Sequence, residues 1–117
     1  MTVPHIAEDG PIIPMPVLTL PALREAVAAV APSRLSEFFQ DMQGAFTQAG
    51  EDDSVIPIRM FYRRWGVTVA IERYPQTARR LHSAERALDS EDPQVRAHAV
   101  QEAGDIVRAA HHEVAGG

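Results

Sequence analysis

The sequence predicts an all-α fold, a compact bundle of four or five helices preceded by an extended, proline-rich N-terminal arm. Three observations carry this. Apolar residues recur at i, i+3, i+4 and i+7 over five successive segments. Prolines stand at the starts and stops of those segments, where a helix tolerates or requires them. The length of 117 residues, 45% of them hydrophobic, suits one domain able to bury a core without cross-links.

Residues 1–18 read as the arm and residues 19–114 as the bundle. Pro4, Pro11, Pro14 and Pro16 exclude a helix and push their predecessors toward extended backbone. Ile12, Ile13, Met15, Val17 and Leu18 are too apolar for a solvated linker. The arm either lies along the body over part of the core or docks on a partner.

The first helix is expected from Pro21 to Ala31, with Thr19 or Leu20 before it. Leu23, Val27 and Val30 form its stripe, and Pro32 stops it. The second is expected from Ser33, as N-cap, to Ala49. Leu35, Phe38, Phe39, Met42, Phe46 and Ala49 make the most regular seam in the chain. Gly50 reads as the stop, and Glu51-Asp52-Asp53 as a loop.

The third helix is expected from Ile56 to Arg73, capped by Ser54, with Ile58, Phe61, Tyr62, Trp65 and Val69 inward. Gly66 costs helix propensity there, up to about 1 kcal/mol against alanine, which a close helix crossing would explain. Val67–Ile71 favours strand by propensity and leaves the end of this helix loosely defined. Tyr74-Pro75 breaks the chain. The fourth helix, Pro75 to Leu88, turns Leu81, Ala84 and Leu88 inward. The fifth opens at Asp92-Pro93, an acidic cap followed by proline, and runs to about His112. Val95, Ala99, Ala103, Ile106, Val107 and Ala110 face in, and Ala115-Gly116-Gly117 reads as a frayed tail. All these stripes are expected to face one core.

The net charge of −5 conceals an asymmetry. Residues 59–86 hold seven arginines against two carboxylates, while both flanks are acidic. Arg59, Arg63 and Arg64, with Tyr62 and Trp65, mix the residue types that neutralise phosphate and stack on bases. Yet Tyr62 and Trp65 fall on the inward stripe, and the arginines can pair with the acidic flanks of the same fold. The absence of cysteine excludes disulfides and thiolate chemistry. With no apolar run of membrane-spanning length and no signal-peptide pattern at the N-terminus, the expectation is a cytoplasmic protein without a membrane role.

Histidine and carboxylate at i, i+4 can chelate a metal, and His98, Glu102, Asp105 and His112 share one face of the fifth helix. A lone face rarely closes a site, so this one reads as solvated, and no metal or other cofactor is expected. There is no nucleophile elbow, no H-E-x-x-H and no glycine-rich phosphate loop. No catalytic residue is assigned and no enzyme is expected.

The succession Leu23-Arg24-Glu25-Ala26, Arg34-Leu35-Ser36-Glu37-Phe38, Phe61-Tyr62-Arg63-Arg64-Trp65, Tyr74-Pro75 and Arg79-Arg80-Leu81 resembles an uncharacterised actinobacterial family of short helical proteins. The likeness covers roughly residues 19–82. Some members of that family are encoded beside toxins of the RelE/ParE type. The resemblance thus implies an antitoxin-like role, with a small basic protein as partner and no catalytic residues.

The expected function is that of a non-enzymatic protein-binding module, with Ile12, Ile13, Met15, Arg59, Arg63 and Arg64 as candidate partner contacts. Two alternatives stand beside it: a nucleic-acid-associated regulator using residues 59–86, and a homodimer that exchanges its arm.

Overall fold

The computed structural model describes residues 10–116. Five helices make up the body: α1 (Leu20–Val30), α2 (Leu35–Asp52), α3 (Ile56–Glu72), α4 (Pro75–Ala87) and α5 (Pro93–Gly116), with a 3₁₀ turn at Pro32–Arg34 between α1 and α2. No strand occurs among the described residues, so the all-α class holds.

The helix ends show which local signals governed. The Thr19 hydroxyl accepts the Ala22 N–H (3.3 Å) and caps α1. The Asp92 carboxylate accepts the Gln94 N–H (2.9 Å), as the sequence led one to expect; the Ser54 hydroxyl accepts the Ile56 N–H (3.1 Å), but the N-cap position of α3 is Val55. Two further expectations need correction. Ser33 is no N-cap: it lies within the 3₁₀ turn, and α2 begins at Leu35 without a side-chain cap. Gly50 does not end α2. The helix runs through Glu51 and Asp52 and stops at Asp53, which takes the left-handed conformation (φ 52°). Aspartate tolerates that region, and the N–H groups of Asp53 and Ser54 there close onto the Ala49 carbonyl.

The single core expected from the stripes is two. Leu23, Ala26, Val27, Phe38, Phe61, Trp65 and Val69 pack together between α1, α2 and one side of α3. Val67, Ala70, Ile71, Ala78, Leu81, Ile106 and Ala110 pack together between the other side of α3, α4 and α5. Helix α3 is therefore the shared central element. A helix covered on both sides must be apolar nearly all round, which is why Val67–Ile71 reads as strand-like and is helical. Two half-bundles on one helix also make a flat molecule, 50 × 42 × 27 Å, not a compact one. Its radius of gyration is 16.2 Å, against about 13 Å for a compact chain of this length.

Helix α5 passes the expected end at His112 because its last turns have partners. Val114 packs on the second core, and Glu113 pairs with Arg73. Gly66 sits where those turns and the arm converge. A Cβ added there would lie 2.9 Å from Leu18 Cδ2 and 3.6 Å from Val114 Cγ1. The close approach comes from side chains of the arm and of α5, in place of the helix crossing expected.

Of the arm, residues 10–18 are described and form neither helix nor strand. They lie against the body. The Ile12 N–H donates to the Arg73 carbonyl (2.7 Å), and Arg73 Nη1 donates to the Ile13 carbonyl (3.2 Å). Ile13 packs on the first core and Met15 on the second. The segment thus straps both half-bundles across the end of α3. The expectation for residues 1–9 lies outside the described residues.

Candidate functional site

The acidic and basic segments first meet each other inside the fold. Arg64, Arg73 and Arg80, three arginines of the basic stretch, reach carboxylates of the acidic flanks. Arg64 pairs with Glu37 (3.0 Å) and Asp41 (2.6 Å) of α2, and Arg80 pairs with Glu102 (2.8 Å) of α5. Arg73, buried, pairs with Glu113 of α5, and its guanidinium lies 4.6 Å from the Tyr74 ring. Charge asymmetry along the sequence becomes cross-links between helices.

The most connected of these links sits over Trp65, which is fully buried. Its indole N–H donates to Asp41 Oδ2 (3.0 Å), the oxygen that also receives Arg64. Arg34 donates twice to Glu37 (3.0 and 3.1 Å), and its guanidinium stands 4.9 Å from the Trp65 ring. That hydrogen-bonded guanidinium holds the Glu37 carboxyl below its ordinary value, and the same contact raises Arg34. Phe38 meets the indole edge-on at 5.3 Å. The burial of Trp65 removes the aromatic on which bases would stack, and Tyr62 also packs on the first core.

The candidate partner contacts divide. Ile13 and Met15 are half-buried against the chain's own cores, while Ile12 remains 57% exposed. Arg64 is committed to Glu37 and Asp41. Arg59 and Arg63, one turn apart on α3, are exposed and have no carboxylate within ion-pair distance among the described residues. On α5, Glu102 is taken by Arg80 and Asp105 by Arg108 (2.5 Å). His98 stands 4.0 Å from Glu102.

The surface feature that sequence reasoning missed is on α2. Of its expected seam only Phe38 is fully covered; Leu35 and Met42 are half-buried, while Phe39 and Phe46 remain 39% and 43% exposed. Helix α2 lies at the edge of the flat molecule, held by α1 and α3 from one side, so only a narrow stripe finds partners. Seven-residue spacing puts Phe39 and Phe46 on one face of α2. From Leu35 to Ile58 the chain holds five carboxylates and no basic side chain. Glu51, Asp52 and Asp53, at the C-terminal end of that helix, form no ion pair among the described residues. An amphipathic helix with this exposed face can receive apolar side chains framed by cations.

No helix among the described residues is long and apolar enough to cross a membrane. No protein-family model, no curated protein and no solved structure matches the chain.

Proposed function

We propose that the protein is a non-enzymatic binding module whose α2 face captures a small basic protein. The observation that carries this reading is the pair Phe39 and Phe46, exposed on a helix without basic residues whose end carries three carboxylates that form no ion pair among the described residues. Exposed aromatic side chains on one helix face are the usual anchors of a protein interface. The carboxylates would steer and orient a cationic partner and make its capture salt-sensitive. The antitoxin-like role implied by the resemblance belongs to this proposal, since a toxin that binds RNA is a small basic protein. So does the cytoplasm as the place of action.

The test is capture from the native cell lysate at low and moderate salt, with the tagged wild-type protein and with the double variant Phe39→Ser, Phe46→Ser. The expected result is a small basic protein that the wild type retains at low salt, releases as salt rises, and that the variant does not retain. A bound set that is the same for both forms would overturn the proposal. The nucleic-acid reading rests on Arg59 and Arg63, exposed on the outer side of α3. A mobility shift of genomic DNA at low salt that disappears with Arg59→Ala, Arg63→Ala would favour it instead.

A further inference from the structure

A second surface feature lies on the other side of α3's outer arginines from the Phe39–Phe46 face, and no residue of α2 lines it. Between α3, α4 and α5 runs a groove of about 390 Å³, within the lower range of small-ligand sites. Met60, Val67 and Ile71 of α3, Leu81 of α4 and Val107 of α5 make an apolar floor. Met60 is 65% exposed, because α4 and α5 do not extend over the first half of α3.

The rim is cationic on the α3 side. Arg34 and Arg64 stand there, already joined through Glu37, and Arg63 stands beside them with no carboxylate in ion-pair distance among the described residues. Glu85 of α4 and His111 of α5 complete the rim. An anion entering the groove is therefore drawn to the α3 side, to Arg63, the rim guanidinium that has no carboxylate partner among the described residues. A helix, about 10–12 Å across, is too wide to be enclosed in this volume, whereas a single short chain is not.

We propose that this groove binds a small amphiphilic carboxylate, its hydrocarbon chain on Met60, Val67, Ile71, Leu81 and Val107 and its carboxylate on Arg63. The planar fork of arginine matches a carboxylate bidentately, and the floor supplies the area that a hydrocarbon chain buries. The cleft between α4 and α5 is larger, about 480 Å³, but lacks that polarity: its Arg80 is neutralised by Glu102, and Asp92 stands at its edge. It serves as the internal control.

The probe is octanoate, with 1-octanol as its uncharged counterpart, titrated into the full chain while methyl resonances are followed by NMR. The expected shifts fall on Met60, Val67, Ile71, Leu81 and Val107. Arg63→Gln is expected to weaken octanoate roughly tenfold, the loss of one charge-assisted contact, and to leave octanol within about twofold. Met60→Gln is expected to weaken both. Both substitutions are at exposed positions and leave the fold in place. Absence of saturable shifts at millimolar octanoate would overturn the proposal. So would shifts centred on Val95 and Ala99 of the α4–α5 cleft, or an octanoate affinity indifferent to Arg63→Gln.

Discussion

Replacing Trp65 by phenylalanine tests how α2 is held to the central helix. The indole is fully buried, and its N–H reaches Asp41 of α2 at 3.0 Å. Phenylalanine keeps an aromatic ring against Phe38 but loses that donor and part of the buried volume. A hydrogen bond to a charged group contributes about 1.5–3 kcal/mol, and the smaller ring forfeits about 1–2 kcal/mol of burial. The expected loss is about 3–4 kcal/mol, a large share of the roughly 6–15 kcal/mol available to a chain of this size. Urea unfolding followed by far-UV circular dichroism measures it, with the denaturant slope unchanged. A cycle with Asp41→Ala isolates the link, and a coupling of at least about 1.5 kcal/mol between the two sites is expected. A total loss below about 1 kcal/mol, or additive single effects, would refute the assignment of this hydrogen bond as the tie between α2 and α3.

Three further outcomes are expected. Glu113→Ala leaves the buried Arg73 without its carboxylate; because Glu113 is itself 38% exposed, the cost is about 1–3 kcal/mol, less than for a fully buried pair. Limited proteolysis should then cut faster within residues 10–18, and unchanged cleavage would show that the pair with Glu113 does not fix Arg73 for its contact with the arm. Gly66→Ala trades about 1 kcal/mol of helix propensity against displacement of Leu18, so its melting temperature should stay close to wild type. Gly66→Val meets Val114 as well and should lose about 1–3 kcal/mol. The Glu37 carboxyl titrates lower in the folded chain than in the unfolded one, because Arg34 donates to it. Its contribution is thus complete above about pH 4.5 and is lost as pH falls through the lowered native value; acid titration of Glu37→Gln should show a shallower decline than wild type.

Much of the fold was legible because it rests on local chemistry. Asp92 caps the helix it precedes, the Ser54 hydroxyl accepts from the first residue of α3, and Pro75 and Pro93 open their helices. Leu23, Val27, Phe61, Trp65 and Val69 are buried where their spacing places them. Less of the candidate site was legible. The regular seam of α2 gave no sign that Phe39 and Phe46 would stay exposed, since periodicity identifies an apolar face but not how wide a partner covers it. Arg64, one of the candidate partner contacts, spends its charge on Glu37 and Asp41, which lie more than twenty positions away in the chain.

The sequence by itself determined the all-α class, the order of the helices and the acidic cap that opens the last of them, because backbone hydrogen bonding and side-chain spacing act within a few positions. Only the tertiary structure decided that α3 is shared by two cores, that the arm straps across it, and that α2 stands at an edge. It likewise decided which arginines are neutralised and that Met60, Leu81 and Val107 meet in one groove. Those outcomes depend on contacts between residues remote along the chain, which exist only once the helices have been brought together.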